Sequence, residues 1–145
     1  MVKKVLRDIP LQELTLRKYE QPHGLEEREL VRKFLLSLGL LQPGESRDII
    51  VDIFHLFLKA RKQNSTLDSA DIVEELEGKT GASSPNVARQ IKRLKDLKLI
   101  EKTHEGYRIT EFGKLDNIVS NYLIPFVINQ SAERLREYAK ELDRR

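Results

Sequence analysis

Apolar positions in this chain recur mainly at spacings of three and four, the period of a helix with one buried face. Leu30, Val31, Phe34, Leu35 and Leu38 predict a helix over residues 25–38. Glu26, Glu27 and Glu29 fall in its first turn, where the helix dipole favours acids, and Gly39 suits its end. A wider stripe of Ile49, Ile50, Ile53, Phe54, Phe57 and Leu58 predicts a core helix over 47–62, with Ser46 as its cap and Lys59, Arg61 and Lys62 at its C-terminal end. Asp68 caps a short acidic helix over 70–77, with Leu67 and Ile72 at the hydrophobic-staple positions. Gly78 and Gly81 bracket a turn, and Ser84-Pro85 then starts a helix over 84–97 that buries Val87, Ile91 and Leu94.

The period then changes. Residues 99–103 and 107–110 read as two short strands around His104-Glu105-Gly106, with Ile100 and Ile109 on the inner side. A strand residue pair is also expected near Leu67. Beyond Thr110 the helical period returns through Leu115, Ile118, Val119, Tyr122, Leu123, Phe126 and Val127, with Pro125 expected to kink or break the helix. Ser131 is expected to cap a last helix carrying Leu135, Tyr138, Ala139 and Leu142 on one side. Residues 1–24, with Val5, Leu6, Ile9, Leu11, Leu14 and Leu16 interrupted by Pro10, read as a short strand or an arm against a partner chain. The expected fold class is therefore α+β, mostly α. It divides into an arm and helix (1–45), a central unit (46–113) and C-terminal helices (114–145).

Charge adds a location to this outline. The net charge of +3 says little. Residues 78–110, however, carry eight basic and three acidic side chains, whereas 64–77 carry five acidic and none basic. Clustering of this kind matters more than the overall balance for attracting phosphates. The absence of cysteine excludes cysteine-ligated zinc, thiolate catalysis and disulfides. No apolar run approaches the ~20 residues of a membrane span, and the N-terminus lacks an apolar signal-peptide core. The expectation is a soluble, cytoplasmic protein with no membrane association.

The chemistry centres on the helix over 84–97. Arg89, Lys92 and Arg93 are expected opposite its apolar face, flanked by Asn86 and Gln90. A helix fits the major groove of double-stranded DNA, where Arg pairs bidentately with guanine and Asn or Gln with adenine. Ser83, Ser84 and the first backbone amides suit a phosphate. On the hairpin, Lys102, His104 and Arg108 are placed to touch the flanking backbone. The bland alternative is a solvated charged face. An enzyme is not expected. His23, His55 and His104 lie in separate elements, Asp52 and His55 are the best-spaced pair, and Gly78-Lys79-Thr80-Gly81 lacks the spacing of a phosphate loop. No metal or cofactor is expected.

The order acidic helix, glycine turn, capped basic helix and hairpin is that of a winged helix-turn-helix with additional N- and C-terminal helices. SPNVARQIKRLKDLKLIEK resembles the recognition helix and first wing strand of winged-helix transcriptional regulators. YRITEFGK resembles the second wing strand and exit of MarR-, PadR- and related regulators. The chain as a whole most resembles archaeal winged-helix proteins. The resemblance covers about residues 47–115. It implies a homodimer on a pseudo-palindromic operator, with Asn86, Arg89, Gln90 and Arg93 facing the groove and terminal helices holding the dimer. Tyr122, Phe126, Leu135 and Tyr138 are the expected interface residues. The rival expectation is a winged-helix protein-interaction module in a nucleic-acid-handling assembly. A ligand-sensing regulator is a third.

Overall fold

The computed structural model describes residues 8–145; the expectations for Val5 and Leu6 lie outside the described residues. The fold is α+β and mostly helical. Helix α1 spans Glu27–Ser37, α2 Ile49–Lys62, α3 Ser69–Glu75 and α4 Ser84–Asp96. Strands β1 (Ile100–Thr103) and β2 (Gly106–Ile109) follow as an antiparallel hairpin that pairs Ile100 with Ile109 and Thr103 with Gly106. A 3-10 turn (Thr110–Phe112), a short α5 (Leu115–Ile118), a π-helical segment (Val119–Ile128) and α6 (Asn129–Arg144) complete the chain. Among the described residues, no helix is long and apolar enough to cross a membrane.

The core forms around α2, as its wide apolar stripe requires. Val51, Ile53, Phe54 and Phe57 are fully buried there, against Leu35 of α1, Ile72 of α3, Val87 and Leu94 of α4, and Ile100 and Ile109 of the hairpin. Phe34 stacks on Phe54 with ring centroids 6.0 Å apart, which fixes α1 against α2. Burying each large apolar side chain of this kind contributes about 1.5–3 kcal/mol. Beyond this core, Arg61 of α2 reaches the Gly113 carbonyl (3.0 Å) and holds the exit from the hairpin.

Local signals account for most element boundaries. Asp68 caps α3 in a reciprocal capping box with Asp71, and its side chain accepts the Asp71 N–H at 2.8 Å. Leu67 pairs with Tyr107 as a single antiparallel bridge, which attaches the hairpin to the start of α3. Gly106, at φ 142°, permits this: a Cβ there would lie 3.0 Å from the Leu67 carbonyl oxygen.

Four expectations need correction. Ser83, not Ser84, caps α4, with Pro85 in the first turn, because the chain turns helical one residue earlier. Ser46 does not cap α2. Asp48 holds the cap position without a side-chain cap bond and instead binds Arg28 and Arg32. Of the kink or break expected at Pro125, the break does not occur: the chain passes it in a π-helical segment that continues without interruption into α6. The wider π turn tolerates a residue that has no N–H to donate. Ser131 consequently lies inside α6 and caps nothing.

The arm over residues 8–20 forms neither helix nor strand and packs on its own chain. It is pinned at three places. Glu20 meets the Lys33 ammonium of α1 at 2.7 Å. Arg17 donates to the Leu36 and Leu41 carbonyls at the end of α1 (2.9 and 3.1 Å). Gln12 donates to the Val127 carbonyl in the π-helical segment (2.9 Å). One segment thus ties α1 to the π-helical segment before α6.

Candidate nucleic-acid interface

The interface is built from the turn upward. Gly81 adopts φ +89°, which closes the turn between α3 and α4. The Asn86 Nδ2–H donates to the Gly81 carbonyl at 2.8 Å, so a residue of α4 locks the turn preceding it. The Gln90 amide then donates to Asn86 Oδ1 (3.1 Å), and Arg93 Nη1 donates to Gln90 Oε1 (2.9 Å). Asn86, Gln90 and Arg93 thereby form one ladder along a side of α4. All three are half-buried.

This corrects the expected placement of Arg93. It does not stand opposite the apolar face. The connection between α1 and α2 covers that side of α4, and Arg93 borders a cleft of about 390 Å³ with Leu40, Leu41, Arg47 and Arg89. The outermost positions belong to Arg89 and Lys92, both exposed. Lys92 pairs with Asp96 across one turn (3.0 Å). Arg89 forms no ion pair among the described residues.

Ser83 and Ser84 are exposed at the start of α4. The Ser83 hydroxyl accepts the Asn86 N–H at 3.4 Å. On the hairpin, Lys102 and His104 are exposed, with the Lys102 ammonium 5.9 Å from the Tyr107 ring centre. Arg108 is held differently. It meets Glu101 Oε2 at 2.7 Å and lies over the Phe112 ring, and the same oxygen accepts the Glu111 N–H. Its charge is spent on closing the hairpin.

Sequence reasoning missed two residues that shape this surface. Arg47 lies in the connection before α2 and lines the cleft beside Arg89 and Arg93. Its position within the expected 47–62 helix concealed that. Lys79 falls in the basic stretch, but its ammonium lies 3.4 Å from Asp52. Asp52 also takes two hydrogen bonds from Arg28 (3.1 and 3.2 Å). Burial raises the Asp52 pKa, but the Arg28 hydrogen bonds and charge, assisted by Lys79, outweigh it, and the net shift is downward. The Arg28 guanidinium is in turn held more firmly protonated, chiefly by its Asp52 hydrogen bonds. This cluster joins α1, α2 and the turn before α4.

Asp52 and His55, the best-spaced pair in the sequence, serve separate partners. His55 Nε2 lies 3.2 Å from Glu27 Oε2, without the alignment of a hydrogen bond. The proximity lowers the Glu27 pKa. Among the described residues, no group of three or more histidine and acidic side chains is arranged to hold a metal.

The expected interface residues of the C-terminal region are exposed apart from one. Phe126, Leu135 and Tyr138 are 56%, 71% and 68% exposed, whereas Tyr122 is half-buried and tilted against Phe126 at 6.3 Å. No family model matches the chain, and no curated protein or solved structure is significantly similar to it.

Proposed function

We propose that this chain is a DNA-binding regulator built as a winged helix-turn-helix, with α3 and α4 as the helix pair, the β1–β2 hairpin as wing, and α4 entering the major groove. The observation that carries this reading is the division of labour along α4. Val87, Ile91 and Leu94 anchor it in the core, while Arg89 projects outward without an ionic partner among the described residues. An anchored helix with a free, long, forked donor matches the demands of base-edge recognition.

Two further features support the reading. Arg47, Arg89 and Arg93 border one cleft in which Glu45 is the single acid, a sign pattern that suits a phosphate backbone. The Asn86–Gln90–Arg93 ladder fixes the orientation of polar groups that would otherwise lose side-chain freedom on binding. The hairpin contributes less: Lys102 and His104 are available, but Arg108 is engaged by Glu101. Binding as a homodimer on a two-fold site belongs to the same proposal, with Phe126, Leu135 and Tyr138 in the contact.

The test is a titration of the full chain against a pool of genomic duplex fragments at two salt concentrations. Selective binding that weakens steeply with salt is the expected result. Absence of duplex binding at low salt would favour the protein-interaction module instead.

A further inference from the structure

Among the described residues, only the arm approaches helix α6 beyond its first turn, where Gln12 reaches the Ser131 hydroxyl at 3.4 Å. Every residue from Ser131 to Arg145 is exposed, and Leu135, Tyr138 and Leu142 are 71%, 68% and 73% exposed on one side. Helix α6 continues the segment that Leu123 and Val127 anchor in the core, but helices gain most of their stability by packing an amphipathic face, and that of α6 lies open. Covering this stripe would stabilise α6, and its flanking charges fit one partner in particular.

We propose that α6 pairs with α6 of a second copy of this chain, antiparallel, with Leu135 of each copy against the partner's Tyr138. This gives a register to the dimer proposed above and rests on that dimer, not on DNA binding. Leu135 and Leu142 are seven residues apart, with Tyr138 between them at the other core position of a helix pair. In an antiparallel pair these two kinds of position alternate across the seam. Leu135 therefore meets Tyr138 twice, and Leu142 falls opposite Ser131.

Two independent features agree with that register. Arg134 and Glu141 each precede a seam leucine and so share one edge of α6. Within one chain Arg134 pairs with Glu137, and Glu141 with Arg144 and Arg145, all exposed contacts worth little each; an antiparallel pair sets equivalent edges face to face and exchanges them for Arg134 against the partner's Glu141, twice by the two-fold axis. A parallel pair would set Arg134 against Ala139 and waste the charge. The other edge carries Ala132 and Ala139, small enough for close approach. The second feature is the arm. A trough of about 750 Å³ opens between Ile9 and Leu11 of the arm and Ser131, Arg134 and Tyr138 of α6. Ile9 and Leu11 are 79% and 95% exposed. The same register delivers Leu142 of the partner to Ser131, at this apolar trough.

The experiment uses the full chain, variants Arg134→Glu and Glu141→Arg, and sedimentation to measure association. The unaltered 16.9 kDa chain is expected to form a dimer. Each variant alone faces like charges at both contacts and should associate about tenfold more weakly. An equimolar mixture restores both contacts and should form the heterodimer in preference to either homodimer. Effects confined to one helix are the same in both assemblies, so this preference reports the contact itself. The chain has no native cysteine. Leu135→Cys mixed with Tyr138→Cys should therefore cross-link on oxidation, and neither alone should. A monomeric chain, a mixture no tighter than its components, or cross-linking of Leu135→Cys alone would each overturn the proposal. If the pairing fails while Arg89-dependent DNA binding persists, only the dimer register falls; if pairing holds without DNA binding, the regulator reading falls instead.

Discussion

Asp52 offers a quantitative check on what holds the α3–α4 turn in place. Its carboxylate, only 13% exposed, receives both Arg28 hydrogen bonds and faces the Lys79 ammonium. Replacement by alanine removes all three contacts. Arg28 is 43% exposed and keeps Asp48, so its bidentate bond lies between an exposed pair and a buried charged hydrogen bond, about 1 kcal/mol. Lys79 is 55% exposed at 3.4 Å and adds a few tenths. The expected cost of Asp52→Ala is about 1.5 kcal/mol, a fall of roughly 5 °C in Tm for a chain of this size. Urea unfolding of Asp52→Ala, Arg28→Ala and the double variant would measure it. The coupling between the two sites should be about 1 kcal/mol. A loss below about 0.3 kcal/mol, or additive single effects, would refute this account of the cluster.

Further outcomes follow from the same structure. The lowered Asp52 pKa means its contribution is fully present above the ordinary value of 3.8 and is lost as pH falls through the lower folded value; unfolding measured from pH 6 to pH 2.5 should show a shallower acid loss for Asp52→Asn. Gly81→Ala meets both a positive φ and contacts of 3.1 Å to Asn86 Nδ2 and 3.3 Å to Ile49, so it should cost about 1–3 kcal/mol in a thermal melt. Phe57→Ala empties a fully buried site and should cost about 3–5 kcal/mol, read as a fall of roughly 10–15 °C in Tm by circular dichroism. Lys102→Ala should leave stability unchanged and reduce the salt slope of DNA binding by about 1.

Much of this architecture was legible because periodicity and capping are local. The α2 stripe announced the core, and Asp68, Leu67 and Ile72 marked the start of α3. What escaped depends on residues far apart in the chain. Nothing near Arg93 records that the α1–α2 connection lies against it, so a helical wheel places it too far outward. The charges of Lys79 and Arg108 were readable, but their capture by Asp52 and Glu101 was not, since those pairs form only after folding. Pro125 was read by its usual effect on an α-helix, and the π-helical passage around it has no sequence period of its own. The Arg134–Glu141 edge was in plain view, yet it became informative only once the stripe beside it proved exposed among the described residues.

The central claim concerns the outer face of α4, and Arg89 tests it most directly. The measurement is the affinity of Arg89→Ala and the unaltered chain for duplex fragments selected from genomic DNA, with circular dichroism to establish equal folding. Loss of one bidentate base contact should weaken specific binding by about tenfold or more. Equal affinity of the two proteins, with both folded, would contradict the account.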